Sequence, residues 1–113
     1  MKPYTRKLTG GLYNQWGYFT IPKKLIGYVT SNDRWVACWL DKNYNLIISK
    51  EPNPKDMNGI FLWKRYYHAS SGSIQYRIPK DVFVAWDAQY QKNDFKYVKI
   101  IVLQNNNLQI TLC

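Results

Sequence analysis

The chain is poor in the residues that carry most enzyme chemistry. Among 113 residues there is one histidine, two cysteines and seven Asp or Glu. His68 has no acid or cysteine beside it, and the acids are scattered without paired-carboxylate or metal-nuclease spacing. Neither a general acid–base pair nor a metal cluster is therefore expected. Cys38 sits in an apolar run and Cys113 ends the sequence, a separation that gives no zinc-ligand spacing and no disulfide framework. There is no Gly-rich phosphate loop and no nucleophile elbow. No long apolar stretch follows Met1-Lys2-Pro3-Tyr4-Thr5-Arg6-Lys7, so neither a signal peptide nor a membrane span is expected. These absences predict a non-enzyme with no metal and no cofactor. Cys38 is expected to be a small buried hydrophobe with a free thiol, which suits a cytoplasmic location.

Positive charge and aromatic side chains are what the chain has in excess. The net charge is +9, and 46% of residues are hydrophobic, with five Trp, ten Tyr and four Phe. That composition is too apolar for a disordered segment. Residues 1–57 carry nine Lys/Arg against four acids and residues 58–113 carry seven against three, so both halves are basic. Spread positive charge favours polyanionic partners, because neutralising phosphates releases their counterions. The alternative is a basic protein that binds nothing anionic.

The two halves also share an order of features. Phe19-Thr20-Ile21-Pro22-Lys23-Lys24-Leu25 returns as Tyr76-Arg77-Ile78-Pro79-Lys80-Asp81-Val82, 57 positions later. Trp35 to Leu40 matches Tyr97 to Val102, and Asn45 to Ser49 matches Asn107 to Thr111, both at an offset of 62. One insertion of five residues near 87–92 reconciles the two offsets. Upstream, Thr5-Arg6-Lys7-Leu8 aligns with Trp63-Lys64-Arg65-Tyr66 at an offset of 58, so each half opens with a basic pair. Residues 1–50 and 60–113 are read as two repeats, and the Pro- and Gly-containing stretch 51–59 as their linker. Halves of this size are too small for separate cores, which predicts one shared compact domain.

Within each repeat the signals are mostly those of strands. Gly17 to Ile21 is aromatic and β-branched and stops at Pro22, which suits the first turn of a helix over Lys23 to Val29. Trp35 to Leu40, a polar turn and Leu46 to Lys50 form a hairpin. In the second half Ile60 to Tyr67 is a strand and Lys80 to about Tyr90 a helix. Tyr97 to Leu103 then turns into a strand whose Leu108, Ile110 and Leu112 share a face.

The stretch Gly17-Tyr18-Phe19-Thr20-Ile21-Pro22-Lys23-Lys24-Leu25, with the hairpin from Trp35 to Ser49 and the exit at Pro52, resembles the AbrB-type swapped-hairpin family of DNA-binding regulators. The second half is a degenerate copy that keeps Ile78-Pro79-Lys80 and has Ile74 in place of the motif glycine. The resemblance implies a mostly β fold with short helices, in which two swapped-hairpin-like repeats form one small barrel. Both copies would come from one chain, as a monomeric pseudo-dimer, or strands would be exchanged in a homodimer. It also implies a transcriptional regulator that contacts duplex DNA without catalysis, through basic side chains on the first strand and around the strand-to-helix corner.

Carried onto this chain, those positions are Arg6, Lys7, Lys64 and Arg65 on the opening strands, with Lys23, Lys24, Arg77 and Lys80 beside the two proline corners. Neutralising phosphates is the expected role, with Arg better suited to a base edge. The plain alternative for the pairs is a charged edge strand that discourages aggregation. Tyr18 follows the motif glycine, and Ile26-Gly27 stands where the family commonly has paired Arg. Those departures favour a protein-interaction module on the same fold, antitoxin-like or host-factor-blocking. A third alternative is an aromatic-rich binder of single-stranded nucleic acid, with Tyr13, Trp16, Tyr18, Tyr66 and Tyr67 as stacking candidates. Phe19, Trp35, Trp39, Tyr76 and Tyr97 are assigned to the core.

Overall fold

The computed structural model describes residues 3–11, 16–29, 35–52, 57, 59–68, 72–90 and 95–113, with the backbone alone at 11, 65, 67 and 68. These residues form ten strands and two short helices. The first half contains β1 (Tyr4–Lys7), β2 (Thr9–Gly11) and β3 (Trp16–Thr20), then a 3₁₀ turn at Lys23–Leu25 that runs into α1 (Ile26–Val29), then β4 (Trp35–Leu40) and β5 (Leu46–Ser49). The second contains β6 (Phe61–Arg65), β7 (Tyr67–His68), β8 (Ile74–Arg77), α2 (Lys80–Tyr90), β9 (Tyr97–Val102) and β10 (Leu108–Leu112). Both helical segments start just after a buried proline, whose fixed φ and missing donor cost nothing there.

The strands pair as two sheets, in the orders β1-β9-β10-β5-β4-β6 and β2-β3-β8-β7. They do not close into the expected small barrel, because the six-stranded sheet ends in open edges at β1 and β6. The opening strand of each half pairs with the hairpin of the other, β1 with β9 and β6 with β4. Each opening strand is also cut in two, at Leu8 and at Tyr66, and continues into the smaller sheet as β2 or β7.

One facing pair in each of two ladders falls on a sequence offset. Phe19 lies opposite Tyr76, the residue 57 positions on, and Ile47 lies opposite Gln109, 62 positions on. The amide of Ile21 donates to the Ile74 carbonyl at 2.8 Å and that of Ile78 to the Gly17 carbonyl at 3.0 Å. At the hairpin turns, Asp41 N–H bonds Asn45 and Leu103 N–H bonds Asn107, with Tyr44 and Asn106 both at positive φ, 62° and 67°. The Asp41 carboxylate further caps the first turn by accepting from the amides of Asn43 at 2.8 Å and Asn45 at 2.9 Å.

Alternation sorts the six-stranded sheet into two faces. Val36, Cys38, Leu40, Leu46, Ile48, Val98, Ile100, Leu108 and Ile110 line the inner face and are buried. They share one cluster with Phe19, Ile74 and Tyr76 of the smaller sheet and with Leu25, Val29, Val82, Phe83 and Trp86 of the helical segments. Both halves therefore contribute to one core. Trp86 anchors α2 by donating its indole N–H to the Tyr44 carbonyl at 2.8 Å. Gly17 is closely packed: a Cβ there would stand 2.6 Å from the Thr9 carbonyl oxygen and 3.1 Å from the Phe83 ring.

Candidate functional site

The ten strands carry six Lys or Arg (Arg6, Lys7, Lys64, Arg65, Arg77 and Lys99) and no Asp or Glu. Acids among the described residues are confined to turns and to α2. The sheet surfaces are thus more uniformly positive than the composition alone requires.

The basic pairs occupy matching register positions on the two edges of the six-stranded sheet. Arg6 and Lys7 lie opposite Val98 and Tyr97, and Lys64 and Arg65 lie opposite Val36 and Trp35. Five inter-strand spacings separate the edges, about 24 Å along the sheet. Within the first pair the side chains part: Lys7 is exposed on the outer face, whereas Arg6 is half-buried on the inner side and donates to the Thr5 carbonyl at 3.0 Å. Lys64 is likewise half-buried on the inner side, near enough to the Cys38 thiol for its charge to be felt there. The Arg65 side chain lies outside the described residues. Lys23, Lys24 and Lys80 are exposed at the proline corners. Because β3 and β8 run antiparallel, those corners sit at opposite ends of the strand pair. Lys99, missed in the sequence, is exposed on the outer face beside Lys7, opposite Thr5. The alternation Tyr97-Val98-Lys99-Ile100 carries the signal that finds it.

Two of the expected contact residues meet in a cleft. Lys64 and Arg77, from β6 and β8, line a space of about 260 Å³ with Trp16, Gly17, Tyr18 and Ile78. None of those residues is acidic, and Tyr18 lies directly opposite Arg77 in the ladder. A larger cleft of about 440 Å³, beside Gly27, Tyr28 and Asn105 to Asn107, holds Lys50 next to Glu51, so its charges offset.

The aromatic assignments need correction. Trp35 is 43% exposed and Tyr97 47%, both on the outer face, because the residues that follow them, Val36 and Val98, take the inward positions. Trp39 is buried as expected, but in a small outer cluster with Ala37 and Ile47, stacked on Phe61 at 5.9 Å. Together with Trp63, half exposed and edge-on to Phe61 at 6.2 Å, this makes an aromatic patch on the β4–β6 side. On the β1–β9 side Lys99 stands where Ala37 does, 62 positions on, so that side is basic instead. Of the stacking candidates Trp16 is exposed, Tyr18 is half-buried, and Tyr66 is buried in the core, which removes it. Tyr13 and the Tyr67 side chain lie outside the described residues.

No ionisable constellation suited to acid–base chemistry emerges among the described residues, and no group of three or more His, Cys, Asp or Glu comes together. Burial pushes the Cys38 thiol above its usual range; contact with Tyr76 and the Lys64 charge oppose the shift. The Tyr76 phenol is pushed well above its usual range, first by burial and then by Cys38. The two groups face each other in the core, but the contact falls short of hydrogen-bond geometry and leaves the Tyr76 hydroxyl without a partner. No helix among the described residues is long and apolar enough to cross a membrane. Comparison of the chain with protein-family models, with curated proteins and with solved structures finds no significant match.

Proposed function

We propose that the chain is a non-catalytic DNA-binding protein, a small transcriptional regulator of the swapped-hairpin kind, with two degenerate repeats that supply both halves of the usual dimer. The observation that carries this reading is the set of six cations, without a single acid, on strands whose register relates one half to the other. A pseudo-twofold arrangement of basic edges suits the twofold symmetry of a duplex backbone, and phosphate contacts of this kind position a protein without reading sequence. Lys7 and Lys99 form the outer basic stripe on one side, with Lys23, Lys24 and Lys80 at the corners as further phosphate contacts. The test is a duplex-binding assay by fluorescence anisotropy on the wild type and on the variant with Arg6, Lys7, Lys64 and Arg65 all changed to Ala. At low salt the variant is expected to bind at least about tenfold more weakly while keeping the wild-type circular dichroism spectrum. Wild-type affinity in the variant would show the pairs to be solvated edge charges.

A protein-binding role has one specific observation in its favour. Trp35, Phe61 and Trp63 expose an aromatic patch on the half that lacks a counterpart of Lys99. If a protein partner is the main ligand, Trp35→Ala with Trp63→Ala leaves duplex binding unchanged and abolishes the partner complex.

A further inference from the structure

We propose that the cleft formed by the start of β3, the end of β8 and β6 binds one nucleotide unit, its base stacked on Trp16 and Tyr18 and its phosphate held by Lys64 and Arg77. The proposal rests on the nucleic-acid reading above and adds to it a subsite that accepts an unpaired base.

The chemistry of the lining selects the ligand. Two cations from different strands, with no carboxylate among the described lining residues, make the cleft attractive to an anion, and two aromatic side chains make it attractive to a flat apolar ring. The Arg77 guanidinium offers a planar fork for phosphate oxygens, and Lys64 supplies a point charge on a long arm. Trp16 is 56% exposed, the most open of the large hydrophobic side chains among the described residues, so its indole face is available rather than spent on the core. The volume of about 260 Å³ lies just under the range of sites for drug-sized ligands, roughly 300–1,000 Å³, which suits a small ligand.

The floor of the cleft is closely packed. Gly17 is fixed by its approach to Thr9 and Phe83, and its carbonyl accepts from the Ile78 amide at 3.0 Å.

The lining of the cleft does not recur at the matching positions of the other half. Ser73 and Gln75 stand 57 positions after Trp16 and Tyr18, and Thr20 stands 57 positions before Arg77. The other half therefore has neither the aromatic pair nor the second strand cation. A contact that served the duplex symmetrically would recur in both halves, and this one does not. A single unpaired base is the matching ligand, either as a free nucleotide or as part of a single strand.

The test measures binding of a fluorescein-labelled short oligothymidylate to the full chain at low salt, with dTMP and inorganic phosphate as competitors, and a blunt duplex measured in parallel. Trp16→Ala and Arg77→Ala are each expected to weaken oligothymidylate binding about tenfold, whereas Trp16→Phe stays within about twofold of the wild type. Trp16→Ala leaves duplex affinity unchanged. Displacement by dTMP assigns the cleft to a free nucleotide, and displacement only by unlabelled oligothymidylate assigns it to a strand. Inorganic phosphate competing as well as dTMP overturns the stacking claim, as does Trp16→Phe binding as poorly as Trp16→Ala. If Trp16→Ala keeps full oligothymidylate affinity while the duplex still binds through the basic edges, the cleft proposal fails alone. If the oligothymidylate pattern holds and no duplex binds, the duplex reading fails alone.

Discussion

Replacing Tyr76 by Phe is expected to stabilise the protein. The Tyr76 ring is fully buried on the boundary between the two halves, 5.8 Å from the ring of Phe19, and its hydroxyl has no hydrogen-bond partner. A buried polar group left in that state costs about 1–3 kcal/mol of lost hydration. Removing one oxygen leaves a void of about 12 Å³, which at about 24 cal/mol per Å³ costs about 0.3 kcal/mol. Loss of the imperfect contact with the Cys38 thiol subtracts a few tenths of a kcal/mol more, about the size of a weak sulfur contact. The net expectation is a gain of about 1 kcal/mol, or about 4 °C in Tm for a chain of this size. The position opposite already holds Phe19, in matching register, so a phenyl ring is compatible with this layer. Urea unfolding followed by circular dichroism measures the change, with an unchanged m-value as the check that the same surface is exposed. A loss of 1 kcal/mol or more would refute the reasoning, because it would mean that the hydroxyl is satisfied in the folded protein.

The same pair of buried acids sets a pH dependence. Cys38 and Tyr76 both hold their protons in the folded state at pH values where the unfolded chain ionises, so folding stability is complete below about pH 8.5 and falls as pH rises, first through the thiol and then above about pH 10 through the phenol. Tyr76→Phe should flatten the upper part of that alkaline limb and Cys38→Ala the lower part, as read from melts across the range. Gly17→Ala is expected to destabilise by about 2–3 kcal/mol, since its Cβ would meet backbone of the paired strand rather than a movable side chain; a variant within about 0.5 kcal/mol, the size of an ordinary surface change, would contradict that contact. Trp39→Ala should cost about 3 kcal/mol, at the low end for a buried Trp because Phe61 and its exposed neighbours can settle into the space. A loss under about 1 kcal/mol in a thermal melt would place Trp39 in solvent.

Much of the β-rich layout was legible because local and long-range signals agree. Pro22 and Pro79 each mark the end of a strand and the start of a helical turn, and Leu108, Ile110 and Leu112 alternate as a one-sided strand should. The helix over Lys80–Tyr90 follows from its composition, and its extra length accounts for much of the shift between the two offsets. What the sequence hid depends on partners far along the chain. Leu8 and Tyr66 are good strand residues, so nothing local announces that each opening strand leaves one sheet there for the other; their burial at the crossing is a tertiary effect. Trp35 and Tyr97 sit in apolar runs that suggest burial on both faces, yet among the described residues the outer face is covered near Trp39 and Ile47, and the strand starts are left exposed. The cleft was invisible for the same reason. Trp16 and Lys64 are 48 positions apart and meet only because β6 caps one edge of the larger sheet while β3 lies inside the smaller one.

If the acid-free cationic strands serve a polyanion, duplex binding must depend steeply on salt. If the exposed cations of the strands and proline corners engage about six phosphates, log affinity plotted against log salt falls with a slope near −5. Removing Arg6, Lys7, Lys64 and Arg65 should flatten it by about 2, because neighbouring strand residues point to opposite faces and at most one of each pair meets the duplex. A slope near zero, or no duplex binding at low salt where such contacts are strongest, would contradict the account.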